Sequence, residues 1–442
     1  MIVVKQKYFY LSCGLFIALA AVSNCSDHQT NGEEEYSTSD DGEALVDADD
    51  GGWDDGEEGG GWDDGGAFHD TDDAPERELF EETWRFTDIR YIAALPPAVS
   101  DNRIFFVGGG DDIIGFYPYH LFGLRSNGEE DWSEEEQPSV PIIDGLGRVV
   151  ICKETFSVYN SDGSVVCTSD LFCDTKLALS AESRVLVVSS NELLEVSTEQ
   201  CTVEKRIPIL SGEYSAPVIG ENGQIFLSGT QALVSLDSNW GELWTNISFR
   251  ASSESLVSDG NMAVDNEGSL VIVTRSSILA KLSPLNETLW SENLASCTVS
   301  APVVDSNGNI YLGGLRGLVS FDKDGSFRWA YRNGIDDSLS SCAIGLPPAP
   351  IVESDGSVVY LSMLDMTIAK LDSDGNILGE KTIDGGITFE CPYVGSISAF
   401  RDGVLVGNCR SSLINLYRQS SELDTSWSTF RGNVRNTGNI NF

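Results

Sequence analysis

The side chains able to do chemistry are cysteines, three histidines and an excess of carboxylates. Setting aside Cys13 and Cys25 leaves eight cysteines: Cys152, Cys167, Cys173, Cys201, Cys297, Cys342, Cys391 and Cys409. No two are spaced Cys-x-x-Cys, which argues against a redox pair or a zinc knuckle. An even number in an exported chain points to disulfides, with on the order of 100 connectivities open. His28 and His69 lie in an acidic N-terminal stretch, leaving His120 alone in the remainder. A lone histidine among Tyr117 and Tyr119 reads as structural rather than catalytic. No Gly-x-Ser-x-Gly elbow, His-Glu-x-x-His pair or phosphate loop occurs, and no carboxylate pair is singled out by position. One Gly- and Tyr-rich segment, residues 108–120, is a candidate contact loop through Asp111, Asp112, Tyr117, Tyr119 and His120.

Charge narrows the partners. The 27 Lys and Arg face 69 Asp and Glu, a formal net of -42. Such a surface repels phosphate backbones, so nucleic-acid binding is disfavoured. At the N-terminus Lys5 and Lys7 precede an apolar run, residues 11–22, that is too short and interrupted for a comfortable membrane span. It ends at Val22-Ser23-Asn24-Cys25, which resembles the lipobox of bacterial lipoproteins, with Asn24 where a small residue is usual. The resemblance implies a signal peptide over residues 1–24, lipid attachment at Cys25 and an outer-membrane anchor, periplasmic or surface-facing. Cleavage after Ala18-Leu19-Ala20 is the alternative and would give a secreted protein. Residues 32–76 then hold 19 carboxylates and no Lys or Arg, with Gly-Gly-Trp-Asp-Asp-Gly twice. Residues 25–78 are therefore expected to be a disordered acidic tether, and weak Ca²⁺ binding there stays open.

From residue 79 the sequence repeats. Short apolar strands are expected at 103–107, 148–152, 184–188, 224–227, 269–273, 309–312, 357–361 and 403–406, about 36 to 48 residues apart. No segment keeps a helical period, so the fold class is all-β. Later in each repeat an apolar residue is followed eight positions on by a large one: Leu124 by Trp132, Leu236 by Trp244, Leu282 by Trp290, Phe321 by Trp329. Cys167 and Gly379 take the Trp position in two repeats. The turns between, such as residues 160–163, 322–325 and 372–375, read as hairpin turns rather than partial calcium loops. A Trp repeated at one place on an outer strand is expected to wedge between neighbouring sheets, its indole N–H finding an acceptor in the next turn. These features predict a β-propeller of eight four-stranded blades. Seven remains open because the third repeat has no Trp. Trp84, ahead of the first repeat, marks an N-terminal strand that closes the ring.

Together the Gly-x-(Ile/Val)-aromatic strand and the apolar-Asp-x-x-x-Gly-x-x-Trp segment resemble the repeat of the pyrroloquinoline-quinone-like (PQQ-like) propeller family. The C-terminal segment 427–438, with Trp427, Phe430, Arg431, Thr437 and Gly438, is similar to one that accompanies that family. Members that oxidise alcohols or sugars carry a quinone, calcium, a catalytic Asp and often adjacent cysteines, and no two cysteines are adjacent here. The resemblance therefore implies a non-catalytic, lipid-anchored, monomeric scaffold with an envelope or extracellular protein partner and no cofactor. An extracellular ligand-binding or adhesion module and a quinone-dependent dehydrogenase are the alternatives. Cys173 with Cys201 is the expected staple of the Trp-less third repeat, with Cys297–Cys342 and Cys391–Cys409 as further pairings.

Overall fold

The computed structural model describes residues 79–442, apart from segments at 88–90, 93–95, 110–118, 137–139, 174–176, 249–260, 295–298, 336–346, 384–395, 425–428 and 434–440 and shorter stretches between. The described secondary structure is strands, with no α-helix, in eight antiparallel sheets. Seven sheets follow the chain from inside to outside: blade 1 (residues 91–136), blade 2 (142–169), blade 3 (177–208), blade 4 (218–246), blade 5 (262–293), blade 6 (303–331) and blade 7 (351–382). Blade 8 takes three strands from residues 396–418 and its outermost strand, Phe80–Phe86, from the N-terminus. In blade 1 the inner position is split between Tyr91–Ile92 and Ala98–Ser100, both paired to Arg103–Gly109. The innermost strands touch one another in sequence around the ring, and Ala98–Ser100 meets Ser396–Phe400 to complete the circle. Eight blades, not seven, is the answer.

Burial explains why these residues choose strands. Second and third strands such as Val149–Cys152, Ile225–Ser228 and Val358–Ser362 are buried at every position, because each sheet is sandwiched between its neighbours. Continuous apolar runs suit that setting better than alternation does. Outer strands such as Thr288–Asn293 are mostly exposed. Between third and fourth strands the register slips by one residue at a recurring point: Gly123/Leu124, Glu195/Val196, Ser235/Leu236, Lys281/Leu282, Ser320/Phe321 and Lys370/Leu371. A bulge of this kind bends the strand and re-aims a side chain. Here it sets the direction of the residue at the Trp position.

Closure follows the expected route. Phe80–Phe86 runs antiparallel to Ser412–Arg418, with Trp84 opposite Asn415. Phe80 is buried, and Lys381 Nζ of blade 7 donates to its carbonyl at 2.7 Å. The third repeat is a complete blade, Leu177–Ala181, Arg184–Ser189, Glu192–Ser197 and Val203–Pro208, despite lacking a Trp. Buried carboxylates also hold the first turn of several blades. Asp265 accepts the N–H groups of Glu267 and Ser269 and an ion pair from Lys281 at 2.8 Å, and Glu353 pairs with Lys370 at 2.8 Å. Burial pushes the Lys370 ammonium below its ordinary pKa. Such pairs are costly to break singly, because the survivor is left charged in the core.

Candidate functional site

The seams between blades carry the residues that the sequence singled out. Five are sealed alike. Trp84 donates its indole N–H to Ser126 O (3.1 Å), Trp132 to Ser161 O (2.9 Å), Trp244 to Pro284 O (2.9 Å), Trp290 to Lys323 O (2.9 Å) and Trp329 to Ser373 O (2.9 Å). Each acceptor is the second residue of the next blade's outer hairpin turn. The turn needs one residue in the left-handed region, and Gly128, Gly163, Gly325 and Gly375 supply it with φ of 83–86°. These glycines also admit the ring: a Cβ on Gly163 would stand 2.6 Å from Trp132, and one on Gly375 2.6 Å from Trp329. Asn286 (φ 71°) does this for Trp244 and accepts a bond from Asn246 at 2.6 Å. Each wedge removes about 150–250 Å² of aromatic surface from water while leaving no indole donor unpaired. Asp322 and Asp372, in the turns that resemble calcium loops, spend Oδ1 on the N–H groups two and four residues on. The Asn376 side chain, then its backbone N–H, hold the Asp372 carboxyl below the usual carboxylate range.

Three seams use other chemistry. Between blades 2 and 3, Cys167 stands at the Trp position, opposite Val158, and is disulfide-bonded to Cys201, with Cα atoms 5.7 Å apart. Cys201 has φ 53° and occupies the glycine's place in a turn one residue longer, from Ser197 to Thr202. The expected Cys173–Cys201 bridge is therefore wrong. Cys173 instead bonds Cys152 of the second strand of blade 2, Cα atoms 5.6 Å apart. The reason is the bulged register, which aims Cys167 across the seam and leaves Cys173, in the following connector, to fold back. Cys297, Cys342, Cys391 and Cys409 lie outside the described residues. Between blades 7 and 8, Gly379 leaves room for Leu79, whose Cβ lies 2.9 Å from where a Cβ would be.

The seam between blades 3 and 4 is inverted. Lys205 holds the Trp position, opposite Glu195, while the Trp sits in the partner turn as Trp240, at φ 75°. Lys205 Nζ lies 4.3 Å from the Trp240 ring centre and donates to Asn239 O at 3.0 Å. An ammonium over an indole face is a favourable contact, but a Lys stem fills less of the seam than a Trp. Beyond Trp240 the seam stays open as a groove of about 350 Å³, lined by Ile207, Ile209, Val234, Leu236, Trp240 and Thr245 among others. Leu210 at its edge is 46% exposed, and its carbonyl accepts the Tyr214 hydroxyl at 2.9 Å. Burial pushes the Tyr214 hydroxyl up to about 12.

The predicted contact loop is only partly in view. Asp111, Asp112 and Tyr117 lie outside the described residues. Tyr119 and His120 belong not to a loop but to the strand Tyr119–Arg125, opposite Gly109 and Gly108. Strong pairing on both sides draws them into the sheet; the His120 ring lies 6.0 Å from that of Phe122. Cys25, the acidic stretch and most of the C-terminal segment 427–438 are outside the described residues. Among the described residues no three His, Cys, Asp or Glu side chains come together to hold a metal ion.

A closed ring of radial four-stranded sheets defines a β-propeller. Comparison with known proteins narrows it. Residues 232–388 match the model of a family described as outer membrane protein assembly factor BamB. BamB from Moraxella catarrhalis is similar in structure, with a TM-score of 0.53 at 12% identity, over 77% of this chain and 100% of that one. The quinohemoprotein alcohol dehydrogenase from Comamonas testosteroni gives 0.51 at 9% identity, over 78% and 77%. The C-terminal WD40 domain of Sif2 gives 0.53 at 8% identity, over 77% and 98%. No curated protein matches in sequence. The described residues of this chain form an eight-bladed β-propeller, and residues 232–388 are similar in sequence to the assembly-factor family.

Proposed function

We propose that the protein is a membrane-anchored, non-catalytic scaffold of the cell envelope that binds another protein. One observation carries this reading: the sequence match over residues 232–388, blades 4 to 7, is to a family described as an outer-membrane assembly factor. The likeness to an alcohol dehydrogenase is one of fold, and fold does not carry chemistry. In this reading Cys25 bears the lipid, the acidic residues 25–78 are the spacer, and the propeller works as a monomer. The open groove between blades 3 and 4 supports a binding role.

The test is purification from membranes with mass spectrometry of the mature N-terminus, together with crosslinking in intact cells. A diacylglyceryl-modified Cys25 and crosslinks to an envelope protein are expected. An unmodified N-terminus would remove the anchor. Substrate-dependent dye reduction on adding quinone and Ca²⁺ would replace the scaffold with an oxidoreductase.

A further inference from the structure

Five seams are closed by an indole, whereas the seam between blades 2 and 3 is closed by a bond that chemistry can open and remake. Cys167 lies on the outer strand Val165–Ser169, where every residue is exposed or half-buried, and is itself half-buried. Its partner Cys201 is 6% exposed. Cys152 and Cys173, the neighbouring disulfide, are 1% and 0% exposed, inside the core that blades 2 and 3 share. A thiolate arriving from solvent therefore reaches the Cys167–Cys201 bond first.

The turn that carries Cys201 has a second tie to blade 2. Thr198, the second residue of that turn, is buried; its hydroxyl donates to Asp144 Oδ2 at 2.8 Å and accepts from Arg148 Nη2 at 2.6 Å. Asp144 and Arg148 form a buried ion pair at the first turn of blade 2. The Gly145 N–H also donates to Glu182 O of blade 3 at 2.8 Å. The joint thus has a covalent bond near the surface and polar bonds deeper in the seam. Cys201 holds a φ of 53°, a conformation that favours glycine, so the disulfide also fixes a turn that would otherwise be free to relax.

We propose that Cys167–Cys201 is a thiol–disulfide exchange site, opened by a dithiol, that sets how firmly blades 2 and 3 are joined. A thiolate of the dithiol attacks Cys167 Sγ, forming a mixed disulfide and expelling Cys201 as its thiolate. Cys201 takes up the proton that the attacking thiol gave up. The second thiol then attacks the mixed disulfide, so that the dithiol leaves as its own disulfide and Cys167 is released and protonated in turn. Two electrons and two protons pass from the dithiol to the two cysteines. Exchange with an oxidised dithiol runs the same steps backwards and closes the bond again. In the open state the Thr198 bonds to Asp144 and Arg148 keep the ring together, because breaking them would strand a buried pair without its hydroxyl partner. Opening therefore loosens the outer part of one seam and leaves the other blades in place.

The test treats the whole oxidised protein with dithiothreitol, or with thioredoxin as a protein dithiol, traps free thiols with N-ethylmaleimide and assigns them by peptide mass spectrometry. Cys167 and Cys201 are expected to be trapped together, at least tenfold sooner than Cys152 and Cys173. Hydrogen exchange should then rise at least tenfold in residues 165–169 and 197–202 and stay unchanged in the outer strands of blades 5 to 7. Cys167→Ser with Cys201→Ser should show the raised exchange without reductant and no further rise with it. Trapping by thioredoxin and dithiothreitol alike assigns a protein dithiol as the source, and trapping by dithiothreitol alone a small one; both keep the site. Earlier or simultaneous trapping of Cys152 and Cys173 would overturn it, as would hydrogen exchange unmoved when the bond opens. A rise on reduction that persists in the double variant would also overturn it, because other cysteines would then transmit the change.

Discussion

The seams that flank blade 3 and the five sealed by indoles share one geometry and differ in chemistry. In both groups a bulged outer strand aims one side chain at a turn whose fourth or fifth residue has positive φ. The indole seams fill that geometry with Trp against Gly or Asn; blade 3 fills it with a disulfide on one side and a Lys–Trp contact on the other. The backbone therefore fixes the seat, and the side chains that occupy it can be covalent, aromatic or cationic. Blade 3 is the region where packing has been replaced by more specific bonds, and it is where the ring is open at the surface.

Removing the bonds one class at a time sharpens that contrast. Cys167→Ser with Cys201→Ser releases a bridge across 34 residues and should cost about 4 kcal/mol in denaturant unfolding by the loop-entropy argument. A loss no larger than that of an exposed serine swap would mean that blade 3 is held by other contacts. Trp290→Ala should cost about 3 kcal/mol by leaving an unfilled seam, and Trp290→Phe only about 1 kcal/mol, the worth of the hydrogen bond to Lys323 O and the smaller ring. Equal losses in the two variants would show that the N–H, not the ring volume, seals the blade.

Gly375→Ala combines positive φ with a close approach to Trp329, for an expected cost of about 2 kcal/mol. Asn286→Gly, at the equivalent place, should be nearly neutral, so stability that falls in both would argue against a shared turn geometry. Lys205→Ala removes a half-buried cation–π contact worth about 1 kcal/mol, and denaturant midpoints will show whether the inverted seam is that weak. The smallest effect at neutral pH comes from Tyr214. Its folded pKa is raised from 10.0 to about 12, so its contribution is complete below pH 10 and is lost as pH rises towards 12. Tyr311 and Tyr331 are also pushed up by burial, so ultraviolet titration should show several tyrosines ionising late, with one fewer in Tyr214→Phe.

Much of this arrangement could be read from residue order. The eight-residue step from Leu236 to Trp244 or from Phe321 to Trp329 encodes both a strand pair and its bulge. The place of Cys167 at the same step already marked it as a wedge residue. Its partner was missed because proximity in sequence favoured Cys173, whereas the seat points across the seam to Cys201. A turn residue five positions after Val196, where glycine is usual, was the available signal. Trp240 was missed for a related reason: it follows Leu236 by four positions, not eight, and so belongs to the receiving turn. Nothing in the order of residues announces a groove, because its lining comes from two blades, Ile207 and Ile209 from one and Val234 and Leu236 from the next. Tyr119 and His120 pair as strand rather than loop, which the Gly-rich run before them concealed.

The closing strand Phe80–Phe86 has a consequence for the life of the chain as it is made. It emerges first and must wait, unpaired, until the strand Ser412–Arg418 arrives more than three hundred residues later. Long-range pairing of this kind is slow and leaves an edge open to misassembly. Blades 1 to 7 can be laid down in order, but the circle locks in a single late event. A chain stopped short of that strand would be a fan rather than a ring, which makes completeness of synthesis a condition of the fold.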